Sequence, residues 1–138
     1  MRYTGALKCV KWVRKLNRYY GMDVKLRSFD MKEAAEKAMR RTGGLAWETV
    51  SPRAELVPKR IWLPRTDVVM IPWVVAHEYA HLVQWESGLL DWRNPHDKRF
   101  QRIYAECCMV LGIAPTFSDE WVGEIQLAMK RELGLGDG

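Results

Sequence analysis

The stretch Trp73-Val74-Val75-Ala76-His77-Glu78-Tyr79-Ala80-His81 decides how this chain is read. Its two histidines stand four residues apart, and a glutamate directly follows the first. On an α-helix, positions i and i+4 lie on one face a turn apart, so both imidazoles can reach a single cation. Glu78 is rotated by about 100° from His77 and can flank that cation without ligating it. Ligands on one face, with a carboxylate beside an open coordination position, are what a hydrolytic zinc site requires. The chain has only three histidines, and the third, His96, follows His81 by 15 residues. The competing reading is a core or surface helix that carries two histidines and no metal.

Working outward, Pro72 suits the first position of the helix, where its missing N–H costs nothing. That helix is expected to run to about Glu86, with Gly88 closing it. Asn94-Pro95-His96-Asp97 reads as a second helix start, with Asn94 as cap and Pro95 at the first position. This places His96 in the first turn of a helix whose residues Phe100, Ile103, Tyr104, Cys107, Cys108 and Leu111 face inward and which Gly112 stops. A last helix spans roughly Ser118 to Leu133. Upstream, Leu7, Val10, Val13, Leu16 and Tyr20 recur at helical spacing over residues 5–20. Asp23 to Phe29 alternates as a strand would. Asp30 caps a further helix, with Glu33 at the capping-box position and Gly43-Gly44 at its end. Residues 45–64 look β-rich. Ala46 to Val50 is one strand candidate. Arg60-Ile61-Trp62-Leu63, bounded by Pro58 and Pro64, is a second and reads as an edge strand.

These elements predict an α+β domain: a small antiparallel or mixed sheet packed on helices, with the two-histidine helix at its centre. At 138 residues the chain is expected to form one domain, residues 1–133, followed by a flexible tail, 134–138. With 48% hydrophobic residues it can bury an ordinary core. The net charge of +5 favours acidic partners, nucleic acid among them, although no run of five like charges occurs. Lys8, Lys11, Lys15 and Arg18 form one stripe of the first helix, a solvated face on the plain reading and a nucleic-acid backbone contact on the sharper one. The three cysteines, Cys9, Cys107 and Cys108, form no CxxC pair, which excludes a zinc ribbon and argues against a disulfide framework. They point to a reducing, intracellular (cytoplasmic) setting. The longest apolar run, Val68 to Ala76, is too short to span a bilayer, so no membrane partner is expected. The sequence is silent on oligomeric state.

A catalytic zinc takes three protein ligands and keeps a fourth position for water. His77 and His81 supply two. Candidates for the third are His96, favoured as an imidazole, then Glu106 and Asp91. Glu78 is the expected general base. Tyr79, Tyr104 or an arginine could assist a developing oxyanion. Arg60, Ile61, Trp62 and Leu63 are the expected substrate-binding strand, able to pair with an extended peptide. Cys107 and Cys108 read as buried packing residues. No GxSxG, Walker-type loop or dinucleotide fingerprint is present.

The run His77-Glu78-Tyr79-Ala80-His81, a linker of 14 residues, then His96-Asp97-Lys98-Arg99-Phe100 and a helix ending Val110-Leu111-Gly112, resembles the SprT-like metalloprotease domain. That family carries HExxH and a third histidine in an HGxxF-type motif that opens the next helix. Asp97 stands here where the family has glycine. The resemblance implies Zn2+ held by His77, His81 and His96, Glu78 as general base, a zincin-like fold and a protein or peptide substrate. Spartan-type relatives cleave proteins crosslinked to DNA, so the resemblance also brings DNA into view as a partner. Two other readings remain: a gluzincin-like peptidase with Glu106 as third ligand, and a nucleic-acid-binding module whose metal site is structural or vestigial.

Overall fold

The computed structural model describes residues 4–44, 47–88 and 93–135. The chain runs α1 (Thr4–Tyr20), β1 (Lys25–Phe29), α2 (Met31–Thr42), β2 (Arg53–Glu55), β3 (Arg60–Pro64), α3 (Pro72–Glu86), α4 (Lys98–Leu111) and α5 (Ser118–Glu132). It is an α+β fold, with five helices and one three-stranded mixed sheet among the described residues. None of these helices is long and apolar enough to cross a membrane.

Helix α3 is the axis of the core. Val74, Val75, Ala76, Tyr79, Ala80 and Leu82 are all essentially inaccessible, so the helix is buried on nearly every side rather than along one stripe. Helices α1 and α4 pack along it, and β2 and β3 lie against it. Cys9, Val13 and Leu16 supply the buried stripe of α1; Phe100, Tyr104, Cys107, Cys108 and Leu111 supply that of α4. Gly5 lets the start of α1 approach closely: a Cβ there would lie 2.7 Å from Met70 Cβ. Burial raises the thiol pKa of all three cysteines, so they are inert packing groups.

The helix signals operate as expected in α2, where Asp30 accepts a hydrogen bond from the Glu33 amide at 2.9 Å and Gly43 adopts φ 75°. Pro72 does open α3, and Gly112 does end α4 with φ 75°. Gly134 and Leu135 close α5, their amides donating to the Arg131 and Lys130 carbonyls; the rest of the expected tail, 136–138, lies outside the described residues.

The sheet departs from expectation. Its order is β1-β3-β2, with β1 parallel and β2 antiparallel to β3. Arg60–Leu63 is therefore the central strand and not an edge. The prolines that suggested an edge flank the stretch that must donate to both neighbours. Pro58 precedes the strand, and Pro64 ends it opposite Phe29, where Arg65 takes over as donor to the Phe29 carbonyl. The edge on the α3 side is β2, three residues long and too short for an alternating pattern to show. The strand candidate Ala46–Val50 is not formed: Trp47–Thr49 is a turn of 3-10 helix, and Ala46 lies outside the described residues.

Candidate metal centre and cleft

His77 and His81 project from one face of α3, as the i, i+4 spacing requires. Helix α4 begins later than expected, at Lys98. Asp97 is its cap, accepting from the Phe100 amide at 3.0 Å, and residues 94–97 form a turn ahead of it. A carboxylate cap three residues before an aromatic core residue outcompetes Asn94 as the start signal. His96 is therefore held by a capped turn rather than by a helix. Asp97 serves the local structure. It caps α4 and receives the Arg99 guanidinium at 3.0 Å. Those hydrogen bonds keep its carboxylate below the usual range.

The three histidines converge. One nitrogen from each of His77, His81 and His96 can be chosen so that all lie within 4.8 Å of one another. His81 Nε2 and His96 Nε2 are 3.0 Å apart. Tetrahedral zinc ligands at ~2.0–2.1 Å from the ion stand roughly 3.3–3.4 Å from each other, so small side-chain adjustments fit this set to one ion. Phe100, itself buried, sits among the rings, with centroids 5.1, 4.5 and 4.9 Å from those of His77, His81 and His96. Burial, then the neighbouring rings His81 and His96, push His77 down to about 3. Burial and His96 push His81 down to about 4, against a small opposing effect of Gln84. The triad is thus kept neutral, the state in which imidazole donates a lone pair to a metal.

A fourth residue, which no motif pointed to, orders two of the three. Gln84 is fully buried one turn beyond His81 on α3. Its Oε1 faces His81 Nδ1 at 3.4 Å, and its Nε2 donates to the Pro95 carbonyl at 3.1 Å. An amide oxygen can only accept, so this contact places the proton of His81 on Nδ1 and turns the Nε2 lone pair toward His96. The same side chain anchors the residue directly before His96. The only sequence signal for it is a glutamine at i+3 from the second histidine, on a helix buried on nearly every side.

The centre opens into a cleft of about 620 Å3, lined by the three histidines and Glu78 on one side and by Trp47, Trp85 and residues of α5 on the others. Glu78 is buried at 9% exposure, and burial pushes its carboxyl up to about 8. Trp121 sets its ring edge-on to His77 at 5.8 Å, and Trp85 stacks on His81 at 5.5 Å. Ser51 to Ala54, leading into and along β2, form the rim opposite α3.

The remaining expectations divide. Glu106 is not with the histidines: it accepts a hydrogen bond from the Tyr20 hydroxyl at 2.5 Å, on the α1 side of α4. The eight residues of helix from Lys98 to Glu106 rise about 12 Å away from the turn that holds His96, too far to share a ligand sphere. Asp91 lies outside the described residues. The Tyr79 and Tyr104 hydroxyls donate to Asn17 Oδ1 and to the Thr116 carbonyl, so neither is directed at the cleft. Arg60, Ile61, Trp62 and Leu63 do not line it. Ile61 and Leu63 are core, and Trp62 lies on the other face of the sheet, its Nε1 donating to Glu55 at 3.4 Å.

No protein-family model, curated protein or solved structure matches this chain.

Proposed function

We propose that the protein is a zinc-dependent peptidase of SprT-like type. The observation that carries this reading is the convergence of three neutral imidazoles on one point of a cleft whose wall also holds Glu78. Zinc held by His77, His81 and His96 would supply a Lewis acid and lower the pKa of bound water to about 7. Glu78 is the proton carrier: a carboxylate oxygen accepts the proton of the attacking water and returns it to the leaving nitrogen. Its burial holds it where both protonation states are reachable near neutrality.

The substrate strand is β2. One side of it pairs with β3, and the other pairs with no strand among the described residues. An extended peptide added there lies along the cleft rim, with alternate side chains directed at Trp47, Trp121, Val122 and Ile125. These apolar walls exclude water from the reacting bond.

The test is Glu78→Gln beside His77→Ala. Glu78→Gln should keep stoichiometric zinc and lose about 10²–10⁴-fold in peptide turnover, the usual range for a general base. His77→Ala should lose the zinc. Undiminished turnover in Glu78→Gln, or a wild-type protein that binds no zinc, would overturn the assignment. A nucleic-acid module with a vestigial site predicts no peptide turnover even in the wild type, and nucleic-acid binding unaffected by Glu78→Gln.

A further inference from the structure

One wall of the cleft is made by α5, and it is largely apolar. Trp121, Val122, Ile125 and Gln126 line it, spaced so that two successive turns of the helix share one side. The wall is held in place at several points. The Trp121 indole donates to the Thr116 carbonyl at 3.2 Å, Ile125 and Met129 are buried, and Glu132 accepts from the Thr66 hydroxyl at 2.8 Å. Trp121 also sets its ring against His77, so the pocket bounded by this wall adjoins the metal centre. The opposite rim brings no charge into the cleft. In β2, Ala54 stands across from Ile61 and shares its inward side, whereas Arg53 stands across from Trp62 and shares its outward side. The Arg53 guanidinium lies 5.0 Å from the Phe29 centroid and 5.7 Å from that of Trp62, on the far face of the sheet. Arg53 and Glu78 are the charged residues among the described lining, and of the two only Glu78 faces the interior.

We infer that the cleft takes a large uncharged side chain, aromatic or branched aliphatic, from the residue beside the scissile bond, and that Trp121 and Ile125 read it. This rests on the peptidase reading and names its substrate class. A peptide paired along β2 alternates its side chains between the cleft and the opposite direction. With its reacting carbonyl at the metal, the neighbouring inward side chain meets Trp121, because that indole touches a metal ligand. A phenylalanine or leucine there exchanges water for the indole and Ile125, which is favourable in proportion to the apolar area covered. An alanine leaves the pocket unfilled and forfeits those contacts. A glutamate would give up its hydration beside the like charge of Glu78. A lysine has no carboxylate to pair with except Glu78, and pairing there would occupy the proposed base. Gln126 is the one polar side chain the α5 wall offers, and a neutral amide balances neither charge.

The test is turnover of the zinc-loaded full chain on a quenched-fluorescence peptide series, identical except for Phe, Leu, Ala, Lys or Glu at the residue flanking the bond cut, with the cut located by mass spectrometry. Phe and Leu should exceed Ala, Lys and Glu in kcat/KM by at least tenfold, since a single methylene in an apolar pocket is worth about 10–200-fold. Trp121→Ala should shrink the Phe-to-Ala ratio about tenfold with zinc content unchanged. Gln126→Glu should raise the Lys peptide relative to the Glu peptide at least tenfold, a gain that a purely structural role for α5 would not produce. Gln126 is half-buried and the replacement is nearly isosteric, so this variant stays informative if Trp121→Ala fails to fold. Equal turnover of the Phe, Ala and Lys peptides, or a Gln126→Glu protein with unchanged ranking, would overturn the inference and leave the peptidase reading standing. A zinc-loaded protein that cuts none of them would overturn the peptidase reading instead. Calorimetric binding of the same peptides then decides the pocket: Phe at least tenfold tighter than Lys upholds it, and equal affinities overturn it.

Discussion

Replacing Gln84 tests whether the metal centre is built as the geometry indicates, and the readout need not involve catalysis. Gln84→Leu keeps the volume of a fully buried residue and removes both polar contacts. It leaves the His81 Nδ1–H and the Pro95 carbonyl without their partner inside the protein. Loss of a partner that orients a metal-bound imidazole costs about 10–100-fold in metal affinity, or about 1.4–2.7 kcal/mol. The His81 contact is long at 3.4 Å, which alone argues for the lower end. The Pro95 contact adds to it, because the same change loosens the turn that carries His96. We expect zinc affinity to fall about 10–30-fold, measured by competition with a chromophoric chelator, with altered absorption of the cobalt-substituted protein. Gln84→Glu separates the two effects. It keeps an acceptor for His81 and loses the donor to Pro95, so it should recover part of the affinity. The leucine variant also leaves a part-buried carbonyl without its partner, which costs about 1 kcal/mol of stability, the low end for an unmade hydrogen bond. A destabilised protein whose zinc affinity stayed within twofold of wild type would refute the orienting role and leave Gln84 a packing residue.

Glu106→Gln should leave zinc content intact while lowering stability by about 1 kcal/mol in denaturant melts, because it disturbs the hydrogen bond that the Tyr20 hydroxyl donates to the Glu106 side chain; loss of zinc in this variant would revive Glu106 as a ligand. Asp97→Ala removes the cap of α4 and should cost about 0.5–2 kcal/mol by thermal melting, with a zinc affinity reduced less than in Gln84→Leu; an unchanged melt would show the cap to be idle. Without metal, His77 at about 3 and His81 at about 4 lie below their unfolded value of 6.5, so the unfolded chain takes up protons first and stability falls as pH drops from about 6.5. Glu78 at about 8 lies above its unfolded value of 4.5, so the folded protein retains a proton the unfolded chain has lost, and stability also falls as pH rises toward 8. Below 6.5 the two histidines outweigh the one glutamate, so the metal-free melting temperature should peak near pH 6.5. Saturating zinc, which favours the Glu78 carboxylate, should flatten the alkaline limb, and a limb unmoved by zinc would contradict this account.

What the sequence could and could not reveal divides along physical lines. The helices were legible because their signals are local: Asp30 and Gly43 bracket α2, Pro72 opens α3, and each works through hydrogen bonds within a few residues. His77 and His81 were legible for the same reason, being one turn apart on one helix. His96 does come together with His77 and His81, but from a turn and not from the expected helix, because Asn94-Pro95 and Asp97 both offer a helix start and the structure uses Asp97. The sheet was misread because strand order is a non-local property. Prolines flanking Arg60–Leu63 fit a central strand as well as an edge, and β2 is too short to announce itself.

Gln84 and the tryptophans were invisible for a related reason. Trp47, Trp85 and Trp121 come from a turn, from α3 and from α5, and they meet only at the cleft. Local chemistry therefore places the ligands on α3, whereas the parts that would make such a centre selective are assembled by tertiary packing. These are the glutamine that sets a tautomer, the edge of β2 and the aromatic walls. If that division holds, substitutions at Trp121 and Ile125 should alter which peptides are cut while leaving zinc affinity unchanged, whereas substitutions at Gln84 should do the reverse.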